Sequence, residues 1–186
     1  PLETVKKPKI LGTILENDLR WDSNTAQITR SAYSRMRILH KAIEFGAPIS
    51  DLILLYIQYV RNHCEKSCVV WNSLITKDNS TDIERVQKTA LRIIYKSNYI
   101  DYENALKISG LEPLSERRKN LCLKFAKGCL KNEDTKDMFP LKNVSRTREP
   151  EIFEVFPANT SRMQNSPIIY MQHLLNGNSH IYRNAQ

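Results

Sequence analysis

The fold is decided by residues 59–94, whose sequence is YVRNHCEKSCVVWNSLITKDNSTDIERVQKTALRII. The stretch contains the end of one apolar helix, a turn with a tryptophan, and the start of a second helix. That second helix is predicted to open with a capping box, in which the side chains of Thr81 and Glu84 each accept a hydrogen bond from the other's backbone amide. Apolar residues then recur with the helical period of about 3.6 residues, which predicts a helix over 82–96 with one side in the core. These residues are Ile83, Val86, Ala90, Ile93 and Ile94.

The opposite side of this predicted helix is basic. It carries Arg85, Lys88, Arg92 and Lys96. Helices with one apolar and one basic side are common, because a charged side is also simply a solvated surface. By themselves these four cations therefore do not distinguish nucleic-acid binding from solvation.

A longer run of one sign occurs in the helix predicted over 23–45. No acidic residue occurs between Asp22 and Glu44. Solvated helix surfaces usually mix charges of both signs, so this run favours contact with phosphates. Its candidate phosphate-binding residues are Arg30, Arg35, Arg37 and Lys41. Gly46 is predicted to end the helix in the left-handed conformation.

The overall charge agrees with a polyanionic partner but does not require one. The 186 residues carry a net charge of +8, and the isoelectric point is about 9.4. This length is enough for one ordinary domain with a hydrophobic core. A basic but otherwise unremarkable domain fits the charge equally well.

Residues 9–21 are predicted to form a short β-hairpin whose turn is at Asn17 and Asp18. Leu11 and Gly12 lie in its first strand. A glycine at this position allows another backbone to approach closely, because it has no Cβ. The same glycine is also ordinary in a simple hairpin.

The remaining helices are predicted from apolar periodicity and from glycine and proline signals. The second helix begins near residue 50 and should be the most buried, since apolar side chains cover most of its circumference. Trp71 is predicted to fill the core rather than to stack on a base. A short helix closes at Gly110, and a long helix over 114–131 directs Phe125, among others, inward.

The predicted fold is mainly α. A bundle of four to five helices over 23–140 follows the β-hairpin of 1–22. The bundle is followed by an extended or poorly structured tail over 141–186, with a short terminal helix near 168–175.

Metal binding, catalysis and membrane insertion are all disfavoured. The four cysteines, Cys64, Cys68, Cys122 and Cys129, do not form CxxC pairs and are predicted to be buried free thiols. No Asp-Asp dipeptide and no GxSxG, HExxH, GxGxxG or P-loop motif occurs. No apolar run approaches the roughly 18 residues of a membrane span. We therefore expect no catalytic residues, no metal site, no small-molecule cofactor and no membrane partner in this chain.

The order of motifs, YVRxxxExSCVVWxS followed by DIERVQKxALRII, resembles the region after the polymerase core of non-LTR (LINE-type, jockey-like) retrotransposon reverse transcriptases. The resemblance extends upstream over 10–21 and 45–48. Downstream it includes LSERRKNLCLKFAKGCLKNEDTKDMFP of 114–140, and 158–160 with 170–172.

This resemblance implies a thumb and connection region over 23–140, preceded by a palm-edge remnant over 1–22. Its partners would be the RNA template, the DNA primer, and the palm and fingers of the same polyprotein. Leu11 and Gly12 would lie nearest the primer end, and Mg²⁺ would belong to the palm. The location would be a nuclear or cytoplasmic ribonucleoprotein, not a secreted one. The alternative interpretation is a non-enzymatic helical protein-interaction module or an inactive relic of such an element.

Overall fold

The computed structural model describes residues 7–142 and 152–177 and is mainly helical with one short β-hairpin, which confirms the predicted fold class. The hairpin consists of β1 (Lys9–Ile10) and antiparallel β2 (Thr13–Ile14). The helices are α1 (Asp22–Arg35), α2 (Arg37–Glu44), α3 (Ile49–Leu55), α4 (Asn62–Glu65), α5 (Cys68–Trp71), α6 (Lys77–Tyr95), α7 (Tyr102–Ser109), α8 (Leu114–Cys129), α9 (Ser161–Gln164) and α10 (Pro167–Gly177). A π-helical segment (Tyr56–Arg61) joins α3 to α4, and 3₁₀ turns occur at Lys96–Asn98 and Lys136–Met138. None of these described helices is both long enough and apolar enough to cross a membrane.

The chain divides into two compact units. The first comprises Pro1–Cys68 and Ile75–Arg118, and the second comprises Val69–Leu74 and Lys119–Gln186. All ten candidate nucleic-acid-binding residues belong to the first unit.

The hairpin turns earlier than predicted. The two residues between its strands are Leu11 and Gly12, with φ of 49° and 87°. Two consecutive residues with positive φ match the right-handed twist of a tight hairpin, and glycine adopts this conformation without strain. The prediction of the turn at Asn17 and Asp18 is therefore wrong, because those residues follow the second strand.

The single helix predicted over 23–45 is divided into α1 and α2 at Met36. The Met36 amide donates to the Tyr33 carbonyl over 3.1 Å, and the Leu39 amide donates to the Met36 carbonyl over 3.0 Å. These i to i+3 bonds tighten the backbone for one turn, and the Met36 and Leu39 side chains are both buried. The prediction of one continuous helix is wrong at this point, so its candidate cations are distributed over two helices.

The next helix is also irregular, because its middle is π-helical. Its buried residues are spaced every fourth position, at Leu52, Tyr56, Val60 and Cys64. The wider π turn keeps side chains four residues apart on one side, whereas a regular helix would rotate them gradually away. Tyr59 is 47% exposed. The prediction that most of this helix's circumference is buried is therefore wrong, since a single stripe enters the core.

Helix α6 begins about one turn before the predicted capping box. Its N-cap is Thr76, whose side chain accepts from the Asn79 amide over 3.1 Å. The Thr81 hydroxyl donates to the Lys77 carbonyl over 2.8 Å and is thus already inside the helix. The capping box prediction is wrong, because residues 77–80 are helical and Glu84 bonds elsewhere.

Glu84 instead caps helix α8, which begins 30 residues later. Its Oε1 accepts from the Leu114 amide over 3.0 Å, and its Oε2 accepts from the Ser115 amide over 3.1 Å. The Tyr102 hydroxyl also donates to Glu84 and accepts from Gln87 Nε2 over 2.9 Å. Burial, and then the bond to Glu84, raise the pKa of Tyr102. One carboxylate therefore connects α6, α7 and α8.

A second carboxylate, that of Glu65, also holds α8 in place. Its Oε1 lies 3.0 Å from Arg61 Nε and 3.2 Å from Arg117 Nε. The side chains of Glu65 and Arg61 are only 11% and 14% exposed. Arg117 also lies 3.6 Å from Glu112. These largely buried charges join α4 and the π-helical segment to α8.

The second unit has its own hydrophobic core. The buried cluster consists of Cys122, Ala126, Cys129, Phe139, Phe153, Met171 and Leu175. Phe153 forms a backbone bridge with Leu141, and helix α10 confirms the predicted terminal helix and extends it to residues 167–177.

Trp71 is fully buried, as predicted, whereas Phe125, predicted to face inward, is 47% exposed.

Candidate nucleic-acid interface

The cations of α1 and α2 are exposed to solvent. Arg30 lies on the side of α1 opposite its buried residues, and neither Arg30 nor Arg35 pairs with a carboxylate among the described residues. The Arg37 guanidinium donates to the Ser34 carbonyl over 3.3 Å. Lys41 pairs with Glu44, which is also exposed, over 2.8 Å. Three of these four cations therefore keep their charge uncompensated by any described residue.

Several cations on the basic side of α6 already contact other side chains of the protein. Arg85 forms an exposed ion pair with Asp82. The Lys88 ammonium lies 5.0 Å from the centroid of the Tyr102 ring. The Arg92 guanidinium lies over another tyrosine ring, that of Tyr99, 5.4 Å from its centroid. Such cation–π contacts orient the side chain while leaving the charge available to solvent.

Lys96 follows the end of α6, is exposed, and has a φ of 48°. Helices α1 and α6 pack against each other, and the cations of each lie mainly on the side away from its buried residues. The structure thus groups the candidates by helix, around Arg30–Lys41 and around Arg85–Lys96.

Leu11 and Gly12 lie at the tip of the hairpin, and α1 holds this tip in place. The Leu11 side chain is 90% exposed. Gln27 Nε2 donates to the Gly12 carbonyl over 3.1 Å, and Asn24 Oδ1 accepts from the Ile14 amide over 3.2 Å. The expected close approach to Gly12 is made by a side chain, since a Cβ at Gly12 would overlap the Lys66 ammonium.

A polar pocket of about 280 Å³ lies between the hairpin, α1 and α4. Its lining consists of Lys9, Gly12, Thr13, Asn24, Gln27, Ile28, Ser31, His63 and Lys66, with no carboxylate among them. Asn24 is 2% exposed, and its Nδ2 has no hydrogen-bond partner among the described residues. Two lysine side chains in the lining and a buried N–H donor without a partner favour an anion as the ligand of this pocket.

His63 lines this pocket beside Lys66, and its imidazole is harder to protonate than one in water. Partial burial, and then the charges of Arg35 and Lys66, lower the pKa of its imidazole. Its Nδ1 lies 3.5 Å from Ser31 Oγ. Burial is the largest cause of this shift, and the two cations add to it.

Sequence reasoning missed most of the pocket. Gly12 was the only lining residue among the predicted candidates, whereas Asn24, Gln27, His63 and Lys66 were not singled out for binding. Their spacing carries no motif, because they meet only after the hairpin folds over α1 and α4. The one available signal was the pairing of a hairpin glycine with polar side chains on the following helix.

The pocket's hairpin is attached to α1 by Glu16, which caps that helix. Its carboxylate accepts from the Ser23 hydroxyl over 2.7 Å and the Ser23 amide over 3.0 Å, and it pairs with Lys7 over 3.0 Å. These bonds, first that of the Ser23 hydroxyl, lower the pKa of Glu16 from 4.5 to about 2.

Because the pKa of Glu16 is lower in the folded than in the unfolded state, its stabilisation is complete above about pH 5 and is lost towards pH 2. We predict that Glu16→Gln lowers the free energy of unfolding at pH 7 by about 1 to 2 kcal/mol. The difference from the unsubstituted chain should shrink as the pH falls to 3, measured by urea unfolding. Glu44→Gln, at an exposed carboxylate, is the control. A difference independent of pH would contradict the assigned role.

Among residues 7–142 and 152–177, no group of three or more His, Cys, Asp or Glu side chains is placed to hold a metal ion. Cys64, Cys68, Cys122 and Cys129 are buried and unbridged, and burial raises the pKa of the Cys64 thiol to about 12.

No protein-family model, curated protein or solved structure matches the chain.

Proposed function

We propose that the chain binds the template–primer duplex as the thumb and connection region of a non-LTR retrotransposon reverse transcriptase. The observation that carries this proposal is the exposed and largely uncompensated set of cations on α1 and α2, within a stretch that has no acidic residue between Asp22 and Glu44. Such a surface neutralises backbone phosphates and releases counterions, whatever the base sequence.

The internal hydrogen bonds and ion pairs of three acidic residues also support the proposal. Glu16, Glu65 and Glu84 are engaged by internal amides, hydroxyls and guanidinium groups. Carboxylates held in this way are not available to pair with the exposed cations of α1 and α2. The arginines of α1 and α2 therefore face solvent without a carboxylate partner among the described residues.

In this proposal the chemistry of polymerisation belongs to the palm. Two magnesium ions and their carboxylates would be supplied there, and the present helices would hold the duplex in register. The exposed Leu11 at the hairpin tip and Gly12 beside it would face the primer end. The cations of α6 would add further phosphate contacts, oriented by the rings of Tyr99 and Tyr102.

The test is a triple charge reversal, Arg30→Glu with Arg37→Glu and Lys41→Glu, assayed for binding of an RNA–DNA hybrid. We expect affinity to fall by at least about tenfold at moderate salt, and the slope of log affinity against log salt to flatten by about 2 to 3. Fluorescence anisotropy over a salt series measures both quantities.

The matched control makes the same change in net charge elsewhere, with Lys107→Glu, Lys124→Glu and Lys131→Glu. These three lysines are exposed and lie outside α1, α2 and α6. If both variants flatten the slope equally, binding depends only on net charge and the assigned surface is wrong. Circular dichroism of each variant excludes unfolding as the cause.

The alternative function, a helical protein-interaction module, is favoured by exposed apolar side chains. Phe45, Leu11 and Ile100 are 88%, 90% and 75% exposed. Lone apolar residues are normal on protein surfaces, so this observation is the weaker one. Absence of hybrid binding by the unsubstituted chain at moderate salt would favour this alternative.

A further inference from the structure

We propose that the pocket between the hairpin, α1 and α4 is a binding site for a single phosphate oxyanion. The site is distinct from the extended cationic surface of α1 and α2. Its only residue in common with the predicted nucleic-acid-binding set is Gly12. It therefore does not depend on the proposed function.

The chemistry of the lining selects the class of ligand. Lys9 and Lys66 both line the pocket, and the positive charge of these two side chains disfavours a cation. Ile28 is the one aliphatic side chain beside many polar groups, which disfavours an apolar ligand. N–H and O–H donors dominate the lining, and a tetrahedral oxyanion is the ligand that accepts from several donors at once.

The buried amide of Asn24 is the most specific feature. Its Oδ1 is used by the Ile14 amide, which fixes the orientation of the side chain. Its Nδ2 is thereby left as a donor with no acceptor among the described residues. A buried donor without an acceptor is unfavourable, and in this proposal an oxyanion seated beside Asn24 supplies the acceptor.

The size of the pocket fits a phosphate with part of its hydration shell. At about 30 Å³ for each water of the liquid, about nine waters would occupy this volume. Gly12 is required for this shape, because a Cβ there would displace the Lys66 ammonium, and its φ of 87° disfavours any other residue.

The experiment follows the side-chain amide signals of Asn24 and Gln27 by NMR while the full chain is titrated at constant ionic strength. The probes are inorganic phosphate, a 5′-phosphorylated oligonucleotide and the same oligonucleotide with a 5′-hydroxyl. We expect a saturable shift of the Asn24 amide with at least one phosphate-bearing probe. Tighter binding of the 5′-phosphorylated strand than of the 5′-hydroxyl strand assigns the site to a strand end, whereas equal or tighter binding of inorganic phosphate assigns it to the free ion.

Two sets of variants test whether Lys9, Lys66 and Gly12 form the phosphate site. Lys9→Gln with Lys66→Gln should weaken binding by at least about tenfold, as expected for the loss of two charged donors. Gly12→Ala should weaken it without removing a charge. The matched control, Lys107→Gln with Lys124→Gln, should leave the affinity unchanged.

Absence of a saturable shift with all three probes would overturn the proposal. Persistence of the shift in both the double lysine variant and Gly12→Ala would also overturn it. The triple charge reversal on α1 and α2 should leave the Asn24 shift with inorganic phosphate intact. Failure of duplex binding is thus distinguishable from failure of the pocket.

Discussion

Replacement of Glu84 by alanine is expected to lower the free energy of unfolding by about 3 kcal/mol. The substitution removes a carboxylate that accepts from the first two amides of α8 and from the Tyr102 hydroxyl. Helix N-termini carry unsatisfied amides and a partial positive charge, so loss of an anionic cap at this position is costly. Hydrogen exchange at the Leu114 and Ser115 amides should accelerate by up to about a hundredfold.

Two further variants test whether the loss of stability in Glu84→Ala comes from the missing charge of Glu84. Glu84→Gln keeps an acceptor oxygen but loses the charge, so we expect a smaller loss of about 1 to 2 kcal/mol. Glu103→Ala removes an exposed carboxylate from α7 and should change stability by less than about 0.5 kcal/mol. An unchanged exchange rate at Leu114 and Ser115 in Glu84→Ala would show that α8 is capped by other groups. Because the chain has two compact units, the amide-resolved measurement is preferable to a single melting temperature.

Local features of the fold followed from the sequence. Gly46 and Gly110 end their helices with φ of 76° and 67°, as a glycine after an apolar period predicts. The buried stripe of α6 was largely identified, because its residues recur with a regular helical period. Features of this kind depend on residues within one or two turns of each other, so a single sequence is sufficient to find them.

Some errors arose where bonds join distant residues, whereas the hairpin turn, the break at Met36 and the N-cap at Thr76 are local features that were also predicted wrongly. The Thr81–Glu84 spacing matched a capping box, but Thr76 made the cap, and Glu84 was used 30 residues away at Leu114. The π-helical segment preserves an apolar pattern that a regular helix also allows, so periodicity could not distinguish the two. The pocket combines a hairpin with two helices and has no pattern along the chain. Whether Arg30 and the other candidates bind phosphate stays a prediction.

The second large effect is expected at Glu65. Glu65→Ala should lower the free energy of unfolding by about 3 kcal/mol, because it leaves the guanidinium groups of Arg61 and Arg117 without their shared carboxylate. Breaking a largely buried ion pair costs more than breaking an exposed one, since the remaining charge cannot be fully solvated. Arg117 is 33% exposed, which places the expected cost at the low end for buried pairs.

Urea unfolding measures this cost, with Glu112→Ala as the control. Glu112 lies 3.6 Å from Arg117 and its side chain is 37% exposed, so we expect its replacement to cost less than about 1 kcal/mol. The Glu112 carbonyl that accepts from Gln87 belongs to the backbone and is kept in this variant. A cost for Glu65→Ala as small as that of the control would show that the three charges behave as a surface network.

The same variant separates stability from binding. In the folded chain Glu65 occupies two guanidinium groups that are otherwise suited to phosphate, so its removal increases the positive potential of the first unit. We therefore expect Glu65→Ala, at temperatures where it stays folded, to bind an RNA–DNA hybrid at least as tightly as the unsubstituted chain. The charge reversals on α1 and α2 should do the opposite, weakening binding with little loss of stability. Glu65→Ala and the charge reversals could instead both weaken binding in proportion to their loss of stability. In that case duplex binding would depend on the integrity of the fold and not specifically on the cations of α1 and α2.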